Sequence, residues 1–444
     1  MILGLLNTES SGIDRLKNFR RMVFYNYPNG SAPLIALLSM LKEESTNDPE
    51  FSIYEKRLAE QRSLTAVATT AGTWSAVGSD TDAASPYSPA VNSTARLHVA
   101  DTSRFRVGHI IQVTAHPITT GGTINVKAIV TSLVAGGTTK LEVRFLQAYT
   151  NLSNVAPSVG LEALVIGNAA SEGQVGAALA PYDTPLNLKN YTQIFRTPFQ
   201  FTGTVLKTGL KYDRTGPYKD KAKDATLQHA MEMEKGFLFG VQQLFIDPTS
   251  GLPTRLTGGV EWYLQQWEAG TAYGNTAATV DTDDNKRIIN NSTGSMNLAT
   301  FNGYMERLFR VTSSQAQEKL CLCGSGFLAR INDMFAGKTV LKLDMEAKQK
   351  FGWDVVTHLL PWGSVHYKTA PLFSQNATLR NSAMFLDVWN LVYRYMDGRD
   401  TQLLKMRQPN NADYREDEWL GECGLELRFP ESHMFMKNFV TATP

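Results

Sequence analysis

Asn190-Tyr191-Thr192-Gln193-Ile194-Phe195 closes an extended stretch that begins at Glu172-Gly173 and runs on into a long helical pattern. Residues 172–245 therefore hold one β-type segment feeding one long amphipathic helix. From Lys219 onward Ala222, Ala225, Thr226, His229, Met233, Phe237, Val241 and Leu244 recur at steps of three and four, which stacks them on one helix face. Lys221, Lys223, Asp224, Gln228, Glu232 and Lys235 take the other positions. Pro217 precedes the first turn, where its missing N–H costs nothing, and Asp247-Pro248 closes the far end because a residue before proline avoids the α region. The pattern predicts a beam about 40 Å long at roughly 1.5 Å per residue. His229, alone among apolar neighbours, reads as a packing residue rather than a ligand or acid–base group. Gly236 and Gly240, one turn apart, predict the close approach of a neighbouring element.

Composition narrows the function. The 444 residues suffice for two or three domains. With 43 Lys+Arg against 42 Asp+Glu the net charge is +1, which excludes a strongly basic nucleic-acid reader and suits a protein that packs against copies of itself. Three cysteines are too few for a disulfide framework. Cys321, Cys323 and Cys423 with His433 would make four ligands, but their spacing fits no zinc finger or ribbon. Cys321 and Cys323 are expected on opposite sides of a strand, so all three read as buried free thiols. Asp281-x-Asp283-Asp284-Asn285 starts like a calcium loop, yet Lys286 stands where the turn needs glycine; it reads as a solvated acidic loop. Gly324-Ser325-Gly326 has its glycines one residue too close for a nucleophile elbow, and no His/Asp pair can be assigned to Ser325. Neither a Walker loop nor a dinucleotide fingerprint occurs. No catalytic residue, metal or cofactor is expected. Arg415-Glu416-Asp417-Glu418 reads as a solvated or intersubunit face. No apolar run reaches the length of a membrane span, the first residues lack a basic leader, and Met1 at the head of the chain predicts that no N-terminal scaffolding segment is removed.

Along the chain, Asn26-Tyr27-Pro28-Asn29-Gly30 is a turn, Pro33 to Leu41 has helical spacing, and Asn47-Asp48-Pro49 breaks it. Residues 61–95 are Ala/Thr/Ser/Gly-rich with hardly a charge and read as a linker. The runs 95–113, 123–133, 140–146 and 161–166 are β-rich and separated by Gly121-Gly122, Gly136-Gly137 and Pro157, which marks a small antiparallel barrel or sandwich. After Gly258-Gly259 the pattern turns mixed: helices at 298–310 and 327–335, and strands at 319–323, 355–360, 364–367, 382–386, 392–395 and 422–429.

Three strings carry a family likeness. Asn190, Thr192, Gln193 and Ile194 form an Asn-x-Thr-Gln-Ile strand before the long helix; Ala32-Pro33-Leu34-Ile35-Ala36-Leu37-Leu38 is followed by Asp48-Pro49-Glu50-Phe51; and Glu422 to Phe429 runs on to Met434-Phe435-Met436. The chain resembles the major capsid proteins of tailed bacteriophages over residues 26–58, 172–260 and about 380–440. The resemblance implies an α+β, HK97-like fold with an all-β module inserted in the extended loop. It divides the chain into an N-terminal arm (1–60), an extended loop (61–189) with the module at about 95–168, a peripheral strand and spine helix (190–257), an axial domain (258–400) and returning strands (401–444). It further implies self-assembly into hexamers and pentamers of an icosahedral shell, with scaffolding, portal and decoration proteins as further partners. Packaged DNA would be met non-specifically, with no membrane partner. Arg15, Lys17, Arg20 and Arg21 are the expected inner-surface or intersubunit cations. The competing reading is a virion adhesin or carbohydrate-binding protein working through the β module, against which that region holds Tyr149 and no Trp. A hydrolase using Ser325 is the third.

Overall fold

The computed structural model describes residues 33–34, 43–56, 62–64, 74–75, 77, 83, 85–99, 102, 105–134, 140–153, 161–172, 185–208, 217–249, 251–269, 286–291, 297–311, 317–335, 348–350 and 353–439. The architecture is α+β, with two main sheets, a two-stranded ribbon and a separate β module.

The strand Gln193–Thr202 pairs antiparallel with Tyr414–Leu427 through ten residues, from Gln193 opposite Cys423 to Thr202 opposite Tyr414. Beyond it lie Leu391–Met396 and, parallel at the edge, Glu43–Thr46; Gln402–Leu404 also pairs with the long strand. Alternation decides which face is covered. Phe195, Thr197, Phe199 and Phe201 are buried under the helix Pro217–Phe239, while Ile194, Arg196, Pro198 and Gln200 point the other way. Phe195 meets Phe237 edge-on at 6.2 Å, and Tyr218 packs on Phe199 and Phe201. Ala225, His229, Met233 and Phe237 are buried on this face, Ala222 is half-buried against it, and Thr226 is exposed.

The helix is shorter than its periodicity predicts. It ends at Phe239, about 34 Å from its start at 1.5 Å per residue. A Cβ at Gly240 would lie 2.5 Å from the Thr257 carbonyl, and Gly259 donates its N–H to the Gly240 carbonyl at 2.8 Å, so the returning chain crosses here. Gly236 likewise faces the Phe195 ring, which agrees with the close approach expected of both glycines. Val241 and Leu244, expected on the packed face, instead leave it: Gln243–Ile246 and Pro253–Leu256 form a hairpin, and Val241 and Leu244 are 54% and 51% exposed. Asp247-Pro248 turns that hairpin rather than ending a helix, with Gly251 at φ +68° donating to the Asp247 carbonyl.

The second sheet runs Ile288–Asn290, Met434–Lys437, Ala383–Leu386, Glu318–Cys323, Gly363–Thr369, Trp353–Leu360, Lys348–Lys350. Its central strand is buried on both faces. Leu320 and Leu322 join Phe237, Leu238, Tyr263 and Leu264 in the core shared with the first sheet, whereas Cys321 and Cys323 face the helices Leu298–Arg310 and Ser325–Phe335. The stretch after residue 380 is divided between the sheets, since Leu391–Met396 and Tyr414–Leu427 belong to the first and Met434–Lys437 to the second. Of the N-terminal helix read at 33–41, only Pro33 and Leu34 are described; both are helical and buried.

Glu50–Glu55 leaves the core and Leu186–Tyr191 returns beside it as an antiparallel ribbon. The β module is one antiparallel sheet in the order Arg62–Leu64, Glu162–Asn168, His109–Pro117, Thr123–Val134, Lys140–Phe145, Thr94–His98, Trp74–Ser75. The run read at 95–113 is two strands, split between His98 and His109. Trp74, in the stretch that reads as a linker, is fully buried, packs tilted against Phe145 with ring centroids 5.0 Å apart and donates Nε1–H to His116 Nε2 at 2.9 Å. Those strands are four steps apart, about 19 Å on a flat sheet. The sheet is therefore curled around Trp74, and residues 74–75 are part of the module.

Candidate assembly site at the ribbon junction

At Asn190 the ribbon meets the first sheet and the Thr257–Gly259 turn. Its side chain is wholly buried and used at both ends. Oδ1 accepts from Gly258 N and Tyr191 N, each at 2.8 Å; Nδ2 donates to the carbonyls of Leu425 (2.8 Å) and Gly258 (3.1 Å) and, at 3.4 Å, to Thr257 Oγ1. Two N–H groups on one side and two carbonyls on the other leave a single orientation for the amide. Thr192 Oγ1 reaches Pro49 O (3.4 Å) and Glu422 Oε1 (3.3 Å), and Gln193 Oε1 accepts from Thr257 N at 3.1 Å. Ile194 takes no part in this network and is 49% exposed on the opposite face. Glu55, at the ribbon's outer end, is buried and accepts from Phe429 N at 2.7 Å. The motif thus clamps ribbon, glycine turn and long strand together, which transmits the ribbon's direction to the core.

On the sheet face away from the helix, carboxylates of the long strand are buried beneath arginines. Arg196 and Arg407 reach Glu418 (2.6 and 3.3 Å), Arg399 reaches Glu422 (2.7 Å), and Arg394 reaches Glu426 (2.5 Å), which Arg428 also contacts. The glutamates are 8% exposed or less, while Arg196, Arg399 and Arg407 are about half-exposed. Removing one partner of such a pair would strand a buried charge. The expectation of a solvated face at 415–418 fails for half of that run: successive strand residues point to opposite faces and both faces are covered here, Asp417 by the helix side, where it accepts from Tyr218 Oη at 2.5 Å, and Glu418 by Arg196 and Arg407. Sequence reasoning missed these pairs; Arg196 stands 222 residues from Glu418, and Arg394 32 from Glu426.

His229 is a packing residue in part only. Its Nδ1 is 3.0 Å from Thr197 Oγ1, its ring stacks on Trp419 at 6.4 Å, and burial lowers its pKa. Around the turn, Val241, Leu244, Phe245, Ile246 and Leu252 make an exposed apolar hairpin. Cys321 and Cys323 share one face, contrary to the expectation, because positions two apart on a strand point the same way. All three cysteines are free and buried, and burial pushes the Cys423 thiol up to about 12. Among the described residues no His/Cys/Asp/Glu group could hold a metal, and no helix is long and apolar enough to cross a membrane. Gly324 and Gly326 lie against the Arg380 carbonyl and the Asn381 side chain, a packing reason for both. The acidic loop 281–285 and Arg15, Lys17, Arg20 and Arg21 fall outside the described residues.

Comparison with known proteins agrees with the likeness of the three strings. The chain is 23% identical over 407 residues to the major capsid protein of Pseudomonas phage PaMx41, covering 90% of this chain and 84% of that one. Similar solved structures include a chain of Mycobacterium phage Bobi (TM-score 0.42, 7% identity, 97% of this chain and 98% of that one). Another is the cyanophage A-1(L) capsid asymmetric unit (TM-score 0.41, 13% identity, 62% and 84%). The family model for the SU10 major capsid protein matches residues 9–439. With nearly its whole length matched, this α+β chain belongs to the SU10 major capsid protein family and serves as a phage capsid subunit.

Proposed function

We propose that the chain closes an icosahedral shell of hexamers and pentamers around double-stranded DNA, assembling in the host bacterial cytoplasm with scaffolding, portal and decoration proteins as partners. In this reading residues 1–60 are the arm, 61–189 the extended loop with its module, 190–257 the peripheral strand and spine helix, 258–400 the axial domain, and 401–444 the returning strands. The observation that carries it is the ribbon Glu50–Glu55/Leu186–Tyr191, which takes the module out of the core and is anchored by Asn190. An extended arm of this kind reaches a neighbour's surface. The exposed apolar hairpin after the spine helix supplies a second contact, since such patches on a self-assembling protein mark interfaces. Each contact need be only weak, because closure makes the shell multivalent. The protein's part is structural rather than catalytic. Arg15, Lys17, Arg20 and Arg21 are proposed to face DNA or a neighbour's acids, and any DNA contact is non-specific and salt-dependent.

Negative-stain microscopy and size-exclusion chromatography of the protein expressed with its scaffold test this. Closed shells are expected; a monodisperse monomer under every assembly condition overturns it. Mobility shifts on the unassembled protein should show no sequence preference, and a tight sequence-selective complex at physiological salt would equally count against a shell role.

A further inference from the structure

A cavity of about 210 Å³ opens between the middle of the spine helix and the edge of the first sheet, walled by Thr226, His229, Met233, Tyr393, Asp400 and Trp419, with Glu43 at its rim. Three observations describe what it wants. First, Asp417, Glu418, Glu422 and Glu426 on this sheet each hold an arginine, whereas Glu43 and Asp400 have no basic partner among the described residues. Asp400 is instead fixed by Tyr393 Oη (2.8 Å) and Thr401 N (2.7 Å), both on Oδ1. Second, His229 is 3% exposed and its Nε2 has no hydrogen-bond partner. Thr197 Oγ1 donates to Glu232 Oε2 at 3.4 Å, so its bond with His229 uses the imidazole Nδ1–H and leaves Nε2 as a bare acceptor. Nε2 lies toward Thr401: a Cβ built on Gly421 would be 3.6 Å from it and 2.7 Å from Thr401 Oγ1. Third, Tyr393 and Trp419 line the space with aromatic rings, and Trp419 Nε1, a donor, is also buried without a partner.

We infer that this cavity receives an arginine side chain from a second copy of the chain. A guanidinium supplies several N–H donors in a plane, matching two carboxylates and the His229 acceptor, and it stacks on aromatic faces. The orphan indole N–H calls for a carbonyl, which a peptide segment carries and a bare cation does not. The inference deepens the self-assembly reading and rests on it.

Two arms separate its failure from failure of that reading. N-acetyl-arginine amide titrated into unassembled subunit should bind saturably, read by the fluorescence difference between wild type and Trp419→Phe. The Glu43→Gln/Asp400→Asn double variant should bind it at least about tenfold more weakly. No saturable binding, or equal binding by the double variant, overturns the inference whether or not shells form. In the second arm Thr226→Arg places a guanidinium over the cavity in cis; it should raise the subunit's thermal midpoint and cut shell yield about tenfold, with Lys221→Arg, exposed on the same helix outside the cavity, as control. Shell yield equal to the control's, from a folded Thr226→Arg subunit, overturns it. If wild-type protein forms no shells while the amide still binds its cavity, the assembly reading fails and the cation site stands.

Discussion

Replacing Asn190 by alanine removes both halves of the junction clamp. The Gly258 N–H and carbonyl lose their side-chain partner in a region closed to water, whereas the Leu425 carbonyl keeps the Tyr263 hydroxyl at 3.3 Å. Each orphaned buried group costs about 1–3 kcal/mol, so with the lost volume the change should be about 3–5 kcal/mol. That is a large part of the roughly 5–15 kcal/mol that holds a typical domain. Asn190→Asp separates hydrogen bonding from packing: it keeps the shape and the acceptors but turns an oxygen of a buried carboxylate toward the Gly258 and Leu425 carbonyls, so it should cost at least as much. Urea unfolding of the unassembled subunit measures both, and hydrogen exchange at Gly258 and Tyr191 reports the local opening. Unfolding midpoints within error of wild type, for Asn190→Asp above all, would refute the clamp.

Phe237→Asp puts a carboxylate between Phe195 and Tyr393, at a cost of several kcal/mol, and should abolish shell formation; complete shells by microscopy would contradict the packing. Excising residues 56–185 and joining the paired ends Glu55 and Leu186 by a short turn should leave a core that unfolds cooperatively, whereas cutting only 96–168 strands Trp74 without its sheet and should yield less soluble protein. Equal solubility of the two deletions would count against the wider module. Burial pushes His358 and His433 down to about 4, so both stay neutral in the folded protein while the unfolded chain protonates near pH 6.5. Stability is then full above about pH 6.5, falls by on the order of 3 kcal/mol per histidine toward pH 4, and levels off below. His358→Phe, placed among Phe301 and Phe335, should flatten that fall, and an unchanged pH slope would refute it.

Local chemistry was legible where it decides structure by itself. The helix at 298–310, the helix read at 327–335, most of the module's strands and the inner face Ala225–His229–Met233–Phe237 follow from periodicity, although the second helix starts two residues earlier, at Ser325. The spine helix's end was not legible, because Val241 and Leu244 continue the apolar period while the returning carbonyl of Thr257 at Gly240 bends the chain away. Trp74 was hidden by the low complexity around it. The ion pairs Lys319 with Asp387 and Arg196 with Glu418 join residues 68 and 222 apart in sequence, and nothing in either neighbourhood announces the other.

The strand Tyr414–Leu427 sits inside the first sheet, yet its partner Gln193–Thr202 precedes it by more than two hundred residues, as the Thr192–Glu422 contact, 230 apart, shows. On a ribosome adding about 5–20 residues per second, the earlier strand and the spine helix wait on the order of 10–45 s for the neighbour that completes their sheet. A nascent chain, or one terminated before residue 414, therefore lacks the strand that pairs with Gln193–Thr202 and leaves that strand's edge open to whatever else can pair with it.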